Sequence, residues 1–160
     1  MSKTCLCVIL FFAIGVTSTA VGQTVDTKHD PCTRGDYDRA LAFLHGLQAA
    51  LRTNQPGDVA QFIHYPLRVP IHGESMIQNR SEFLRDYNLI FTAPRRKAIM
   101  VTEDSELWCR DQGYSVSYGI IWFDSFMPKG QSFPDPNSAQ FWKSGTFGIV
   151  TVNVAPTEKD

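Results

Sequence analysis

The stretch GYSVSYGIIWF, residues 113–123, predicts a long β-strand with bulky side chains on both faces. At a period of two, its large side chains fall into two sets, one with Tyr114, Val116, Tyr118, Ile120 and Trp122 and the other with Ile121 and Phe123. A strand that is bulky on both faces is typical of a sheet covered on both sides. We therefore expect one face to pack on helices, and the alternation alone does not say which.

Three amphipathic helices are predicted before this strand. The first follows Thr33 and carries an apolar stripe every three or four residues, on Tyr37, Ala40, Leu41, Leu44, Leu47 and Leu51. Pro56 opens a short second helix. Asn79 caps the third, with Glu82 at its third position, and Pro94 ends it. The same Asn79 begins an N-glycosylation sequon, NRS, and the cap explains these residues without glycosylation.

Strands are predicted around and after the helices. A short edge strand, Leu67 to His72, follows the second helix. After Pro94, alternation predicts strands in RKAIMVT, SELWC and the final GTFGIVTVNV, with a turn at RDQG. Residues 124–144 contain three prolines and no sustained period, which predicts a long loop whose role as a lid stays open.

The N-terminal residues 1–22 predict a secretory signal peptide. Lys3 precedes an apolar run from Cys5 to Val16, and cleavage after Ala20 or Gly22 meets the small-residue requirement. That run is shorter than the roughly 20 residues of a membrane-spanning helix, although an uncleaved anchor is the alternative. After cleavage we expect a secreted or periplasmic chain that does not bind the membrane. It would consist of a flexible segment 23–32, one domain over 33–154 and a polar tail 155–160.

Removal of the signal peptide leaves two cysteines, Cys32 and Cys109. In an oxidising compartment an isolated pair predicts a disulfide between them. Two unrelated buried thiols are the alternative.

Charge and histidine spacing favour neither nucleic-acid nor metal binding. The formal net charge is −1, and the one basic cluster, RRK at 95–97, is interpreted as a solvated strand start. The four histidines have no zinc-site spacing. No cofactor is predicted.

The order of these elements resembles the NTF2-like superfamily, which includes ketosteroid isomerases and SnoaL-type cyclases. The residues that carry the resemblance are ALAFLHGLQAAL, VAQFIHYPLRV, NRSEFLRDYNLIF and QGYSVSYGIIWF, in that order. It is most similar to small exported bacterial members. The resemblance implies an α+β fold in which three helices pack on a curved antiparallel sheet to form a cone with an interior pocket. It also implies a homodimer through the convex sheet face.

The isomerase branch of that superfamily needs a carboxylate at a position that matches Pro70 here. Because Pro70 has no acid group, the isomerase site does not carry over. The remaining candidate base is His72, with Tyr37 or Tyr87 as a hydrogen-bond partner.

Six residues are candidates for a ligand pocket: Arg68, His72, Tyr87, Trp108, Tyr118 and Trp122. Arg68 is the expected anchor for a small apolar ligand that carries a carbonyl or anionic group, and an ion pair with Asp58, Glu82 or Asp86 is the alternative. Three functions follow: a non-catalytic ligand-binding or interaction module, a lyase or isomerase that uses His72, and an exported immunity-type protein partner.

Overall fold

The computed structural model describes residues 35–71, 75–127, 130 and 144–153. This part of the chain is an α+β fold with four helices and one six-stranded sheet. The helices are α1 (Tyr37–Thr53), α2 (Pro56–Val59), α3 (Arg80–Ile90) and α4 (Ala93–Val101). The strands are β1 (Ile63–Val69), β2 (Ser75–Ile77), β3 (Trp108–Arg110), β4 (Gly113–Val116), β5 (Ile121–Phe126) and β6 (Thr146–Val152). Within these ranges no helix is long and apolar enough to cross a membrane.

The stretch 113–123 is a β-hairpin, so the prediction of one long strand is wrong. Strands β4 and β5 pair antiparallel, with Tyr114 opposite Phe123. The chain reverses at Ser117, Tyr118 and Gly119, whose φ angles are 51°, 58° and 92°. Only glycine adopts this left-handed region at no steric cost. Serine and tyrosine at the first two turn positions therefore gave no signal of a reversal.

The hairpin also determines which side chains face the helices. Tyr114 of β4 and Phe123 of β5 are paired across the hairpin and therefore lie on the same side of the sheet, where both are fully buried. A single continuous strand would have placed them on opposite sides. Their rings stack with centroids 5.5 Å apart, and Phe43 of α1 lies 4.6 Å from Phe123. The paired residues Ser115 and Trp122 point to the opposite side, which we call the outer face of the sheet.

The sheet is mixed rather than antiparallel, with strand order β2-β1-β6-β5-β4-β3. Strands β1 and β6 are parallel and every other pair is antiparallel. The prediction of a strand at Leu67 to His72 is correct over Leu67 to Val69, but β1 begins at Ile63 and its predicted edge position is wrong, because it lies between β2 and β6. Pro66 is tolerated inside β1 where its pairing with β6 shifts register, between Ile63 and Arg68. The order leaves β2 and β3 as two edges of an open sheet.

Residues predicted as the strand RKAIMVT form helix α4, which makes four helices in the described chain rather than the predicted three. The side chain of Thr92 caps this helix, and Pro94 lies in its first turn, where the missing N–H costs nothing. The guanidinium of Arg95 is buried and donates to Leu89 O at 3.0 Å and Ile90 O at 2.8 Å, at the end of α3. The prediction that Arg95 belongs to a solvated cluster is therefore wrong.

The predicted cap of the third helix is confirmed. Asn79 Oδ1 accepts a hydrogen bond from Glu82 N at 3.0 Å, and the Glu82 carboxylate accepts from Gln78 N at 2.8 Å. This pair satisfies the Glu82 amide in the first turn of α3 and the Gln78 amide just before the cap.

Candidate functional site

The outer face of the sheet carries one row of paired residues that crosses all six strands. In order from β2 to β3, each opposite the next, these are Met76, Arg68, Thr151, Trp122, Ser115 and Trp108. We call this set the outer row. It places three of the predicted pocket residues, Arg68, Trp108 and Trp122, on the same face. The register of the strands, and not their distance in sequence, brings them together.

A cavity of ≈ 390 Å³ opens on the outer row. Its lining residues are Arg68, Gln112, Trp122, Val150, Thr151 and Asn153. Val150 reaches the cavity because β5 and β6 shift register there, with Trp122 opposite Thr151 and Phe123 opposite Ile149. The shift leaves Val150 as the extra residue of a β-bulge, a feature that redirects side chains next to binding sites.

The described lining of this cavity is rich in hydrogen-bond donors and contains no carboxylate. Arg68, the Gln112 amide, the Thr151 hydroxyl and the Trp122 indole all carry N–H or O–H groups. Asn153 Nδ2 donates to Gly119 O at 2.7 Å, which holds that side chain against the hairpin turn. The arrangement favours a ligand that brings acceptor oxygens.

Trp108 supports the cavity without lining it. Its ring meets that of Trp122 edge to face, with centroids 5.4 Å apart, and the Arg110 guanidinium lies 4.9 Å from the Trp108 ring. The Trp122 indole is therefore held from the side of β3. Between the two tryptophans, Ser115 is fully buried, and its hydroxyl has no hydrogen-bond partner in the described chain.

Tyr87 does not join this cavity, because it lies among the helices on the other side of the sheet. Its ring stacks on Phe91 at 5.7 Å and meets Phe83 edge to face at 5.8 Å. Burial raises the pKa of Tyr87, and the nearby Arg96 opposes that shift. Tyr37 is likewise elsewhere, with its hydroxyl donating to Asp104 O at 3.0 Å.

The remaining candidates divide between the hairpin tip and parts of the chain outside the described residues. Tyr118 is 86% exposed at the tip and does not line the cavity. His72 and Cys32 lie outside the described residues. Cys109 is disulfide-bonded, and its pairing with Cys32 stays a prediction.

Arg68 is exposed on β1, at the cavity. Both of its predicted roles, ligand anchor and ion-pair partner of a carboxylate, are compatible with this position, and the role of anchor stays a prediction.

Three polar lining residues, Gln112, Thr151 and Asn153, were not predicted from the sequence. Alternation does place Thr151 and Asn153 on one face of the last strand, but nothing in the sequence shows that this face adjoins Trp122. Comparison of the chain with protein-family models, curated proteins and solved structures found no match in any of the three.

Proposed function

We propose that the chain is an exported, NTF2-like domain that binds a small carboxylate- or carbonyl-bearing ligand in the outer-face cavity without transforming it. The observation that carries the proposal is that Arg68 and Trp122 share one cavity with Gln112, Thr151 and Asn153. The volume, ≈ 390 Å³, suits a small organic molecule.

The polar groups of the cavity suit a carboxylate chemically. A carboxylate presents acceptor oxygens alone, and the fork of an arginine guanidinium matches it with two parallel hydrogen bonds. The Gln112 amide and the Thr151 hydroxyl offer additional donors. The apolar part of the ligand would lie against the Trp122 ring and the Val150 side chain.

The lining supports binding rather than catalysis. Proton transfer and nucleophilic attack need a carboxylate, an imidazole, a thiol or an activated hydroxyl. The described lining contains no carboxylate, imidazole or thiol. Its one aliphatic hydroxyl, that of Thr151, has no base among the described lining residues to activate it. The alternative of a lyase or isomerase depends on His72, outside the described residues, and on Tyr87, which lies on the other side of the sheet.

The test uses benzoate as an anionic probe and benzyl alcohol as its neutral counterpart, in an ¹⁵N NMR titration. We expect benzoate to shift the Trp122 indole N–H and the side-chain amides of Gln112 and Asn153, and benzyl alcohol to bind more weakly. Arg68→Gln should weaken benzoate binding about tenfold or more, because a hydrogen bond to a charged group is lost. Arg52→Gln, at an exposed position on α1, is the matched control. Equal affinities in the two variants would contradict the proposal.

A second candidate function is self-association through the outer row. Met76 is 46% exposed there, and Trp108 and Trp122 are half-buried, which leaves apolar area for a second copy of the chain. Sedimentation analysis of Met76→Glu tests this, since a charge at that position would dissociate a dimer formed on this face. An unchanged sedimentation coefficient would exclude this interface.

A further inference from the structure

Three of the residues that line the outer-face cavity offer hydrogen-bond acceptors as well as donors. Gln112 and Asn153 have amide groups and Thr151 has a hydroxyl, and each of these groups contains an oxygen that accepts. A carboxylate or a carbonyl group uses only the donors of such a lining, because it has no hydrogen to donate. The acceptors therefore indicate that the ligand also carries groups that donate.

The amide of Asn153 is held in a fixed orientation by the hairpin turn. Its Nδ2 donates to Gly119 O at 2.7 Å, and its backbone N donates to Ile120 O at 2.7 Å. One amide hydrogen is thus committed to the turn, while Oδ1 accepts no hydrogen bond from the described residues. This leaves the acceptor Oδ1 for a ligand that binds beside Asn153.

The outer row places a hydroxyl between the cation and the aromatic ring of the cavity. Arg68 is opposite Thr151, and Thr151 is opposite Trp122, so these residues lie on the adjacent strands β1, β6 and β5. Adjacent strands are about 4.8 Å apart, which puts the backbones of Arg68 and Trp122 roughly 10 Å apart. A ligand whose carboxylate binds Arg68 and whose body reaches Trp122 therefore passes over the Thr151 hydroxyl. We expect the central part of such a ligand to be polar.

We propose that the ligand is a sugar acid, a pyranose ring that carries a carboxylate and several hydroxyl groups. This inference rests on the proposed function, because it names the class of ligand for the same cavity. The carboxylate would bind Arg68, while ring hydroxyls, which donate as well as accept, would pair with Thr151 and Asn153. The C–H groups on one face of the ring would lie against Trp122, where they bury apolar surface on an aromatic side chain. A plain aromatic acid such as benzoate can use the same donors but leaves the acceptors without partners.

The test compares two sugar acids with cyclohexanecarboxylate, which has the same charge and a six-membered ring but no hydroxyl groups. The sugar acids are the methyl glycosides of glucuronate and galacturonate, and the ¹⁵N NMR signals of the Trp122 indole and the Asn153 side-chain amide report binding. We expect at least one sugar acid to bind about tenfold more tightly than cyclohexanecarboxylate, the effect of one or two net hydrogen bonds.

A pair of threonine variants locates the hydroxyl contacts. Thr151→Val keeps a branched side chain of similar shape and removes the hydroxyl, so it should reduce the preference for the sugar acid at least about threefold. It should not weaken the binding of cyclohexanecarboxylate. Thr146→Val, at an exposed position of the same strand and outside this cavity's lining, is the matched control and should leave the preference unchanged.

The possible results distinguish the sugar-acid inference from the proposed function. If the protein binds benzoate through Arg68 but binds neither sugar acid more tightly than cyclohexanecarboxylate, the sugar-acid inference is overturned and the proposed function stands. An equal preference in Thr151→Val and the wild type would likewise overturn it, since the ligand hydroxyls would then not contact Thr151. If none of these acids shifts the Trp122 indole signal, both proposals fail together.

Discussion

The hydroxyl of Tyr65, on β1, is buried, and its oxygen has no hydrogen-bond partner within the described chain. Burial raises the pKa of Tyr65, and the nearby Arg80 opposes that shift. A buried polar group without a partner costs free energy, because it has left water and gained nothing in return.

Removal of the Tyr65 hydroxyl should therefore stabilise the protein. We expect Tyr65→Phe to raise the free energy of unfolding by about 1 kcal/mol, measured by urea denaturation. Tyr114→Phe is the matched control, since the Tyr114 hydroxyl donates to buried Asp36 at 2.6 Å. That variant should lose about 1.5 to 3 kcal/mol. A destabilised Tyr65→Phe would show that the hydroxyl has a stabilising role in the folded protein.

A second residue-scale prediction concerns His64, whose ring stacks on Phe126 with centroids 3.6 Å apart. Burial lowers the pKa of His64 below its ordinary 6.5. The unfolded chain then takes up this proton more readily than the folded one, so stability is complete above pH 6.5 and falls as the pH decreases through that value. His64→Gln should flatten the decrease of Tm between about pH 7.5 and 5. An unchanged pH profile in that variant would contradict the burial of His64.

At the scale of elements, helix α4 shows why alternation over a short segment does not distinguish a strand from a helix. Residues 98–102 alternate in size as a strand would, yet a helix of nine residues also buries only every third or fourth side chain, here Arg95 and Ile99. The decisive signals were Thr92 as a cap and Pro94 in the first turn, which begin a helix as well as end one. Helix α1 is longer and strongly periodic, and it was predicted correctly because its apolar stripe spans several turns.

Arg95 should be important for the junction of α3 and α4. Its guanidinium donates to carbonyl groups at the end of α3, where the helix has no partners for them. We expect Arg95→Met, which keeps the apolar stem, to lower the free energy of unfolding by about 1.5 to 3 kcal/mol. Lys97→Met, exposed on the same helix, should change it by less than about 0.5 kcal/mol. Equal effects of the two variants in chemical denaturation would show that the carbonyl contacts are not stabilising.

At the scale of the whole molecule, the parallel pairing of β1 with β6 joins the two halves of the sheet. The two strands approach so closely at Gly148 that a Cβ atom there would lie 2.7 Å from the His64 Cβ. Gly148→Ala should therefore force the strands apart and lower the free energy of unfolding by about 1 to 3 kcal/mol. Because the pairing is central, we expect a single cooperative transition at a lower temperature in calorimetry.

Gly57→Ala is the control for this substitution. A Cβ atom at Gly57 would meet only the Arg80 guanidinium, at an ordinary 3.5 Å, and the residue lies in helix α2. Stability should stay equal or rise by up to about 1 kcal/mol, because alanine favours a helix more than glycine does. Equal free energies of unfolding for Gly148→Ala and Gly57→Ala would contradict the close contact of β1 with β6 at Gly148.

The candidate site was predictable from the sequence only in part. Arg68 and Trp122 could be named because an arginine after the second helix and a tryptophan on a predicted strand suit ligand contact, although the ion-pair and packing alternatives stayed open. Their neighbours Gln112, Thr151 and Asn153 could not, since their proximity depends on strand order and register. Those are properties of the assembled sheet, and no local pattern records them.

The place of β6 in the sheet has a consequence for biosynthesis. It is the last strand of the described chain, yet it lies between β5, the strand before it, and β1, the first strand. The pairs of β1 with β2, and of β3 with β4 and β5, use residues synthesised earlier. In the described sheet no strand pairing joins these two groups until residues 146–152 are available. Such high contact order makes folding a late event, completed when nearly the whole domain has been synthesised.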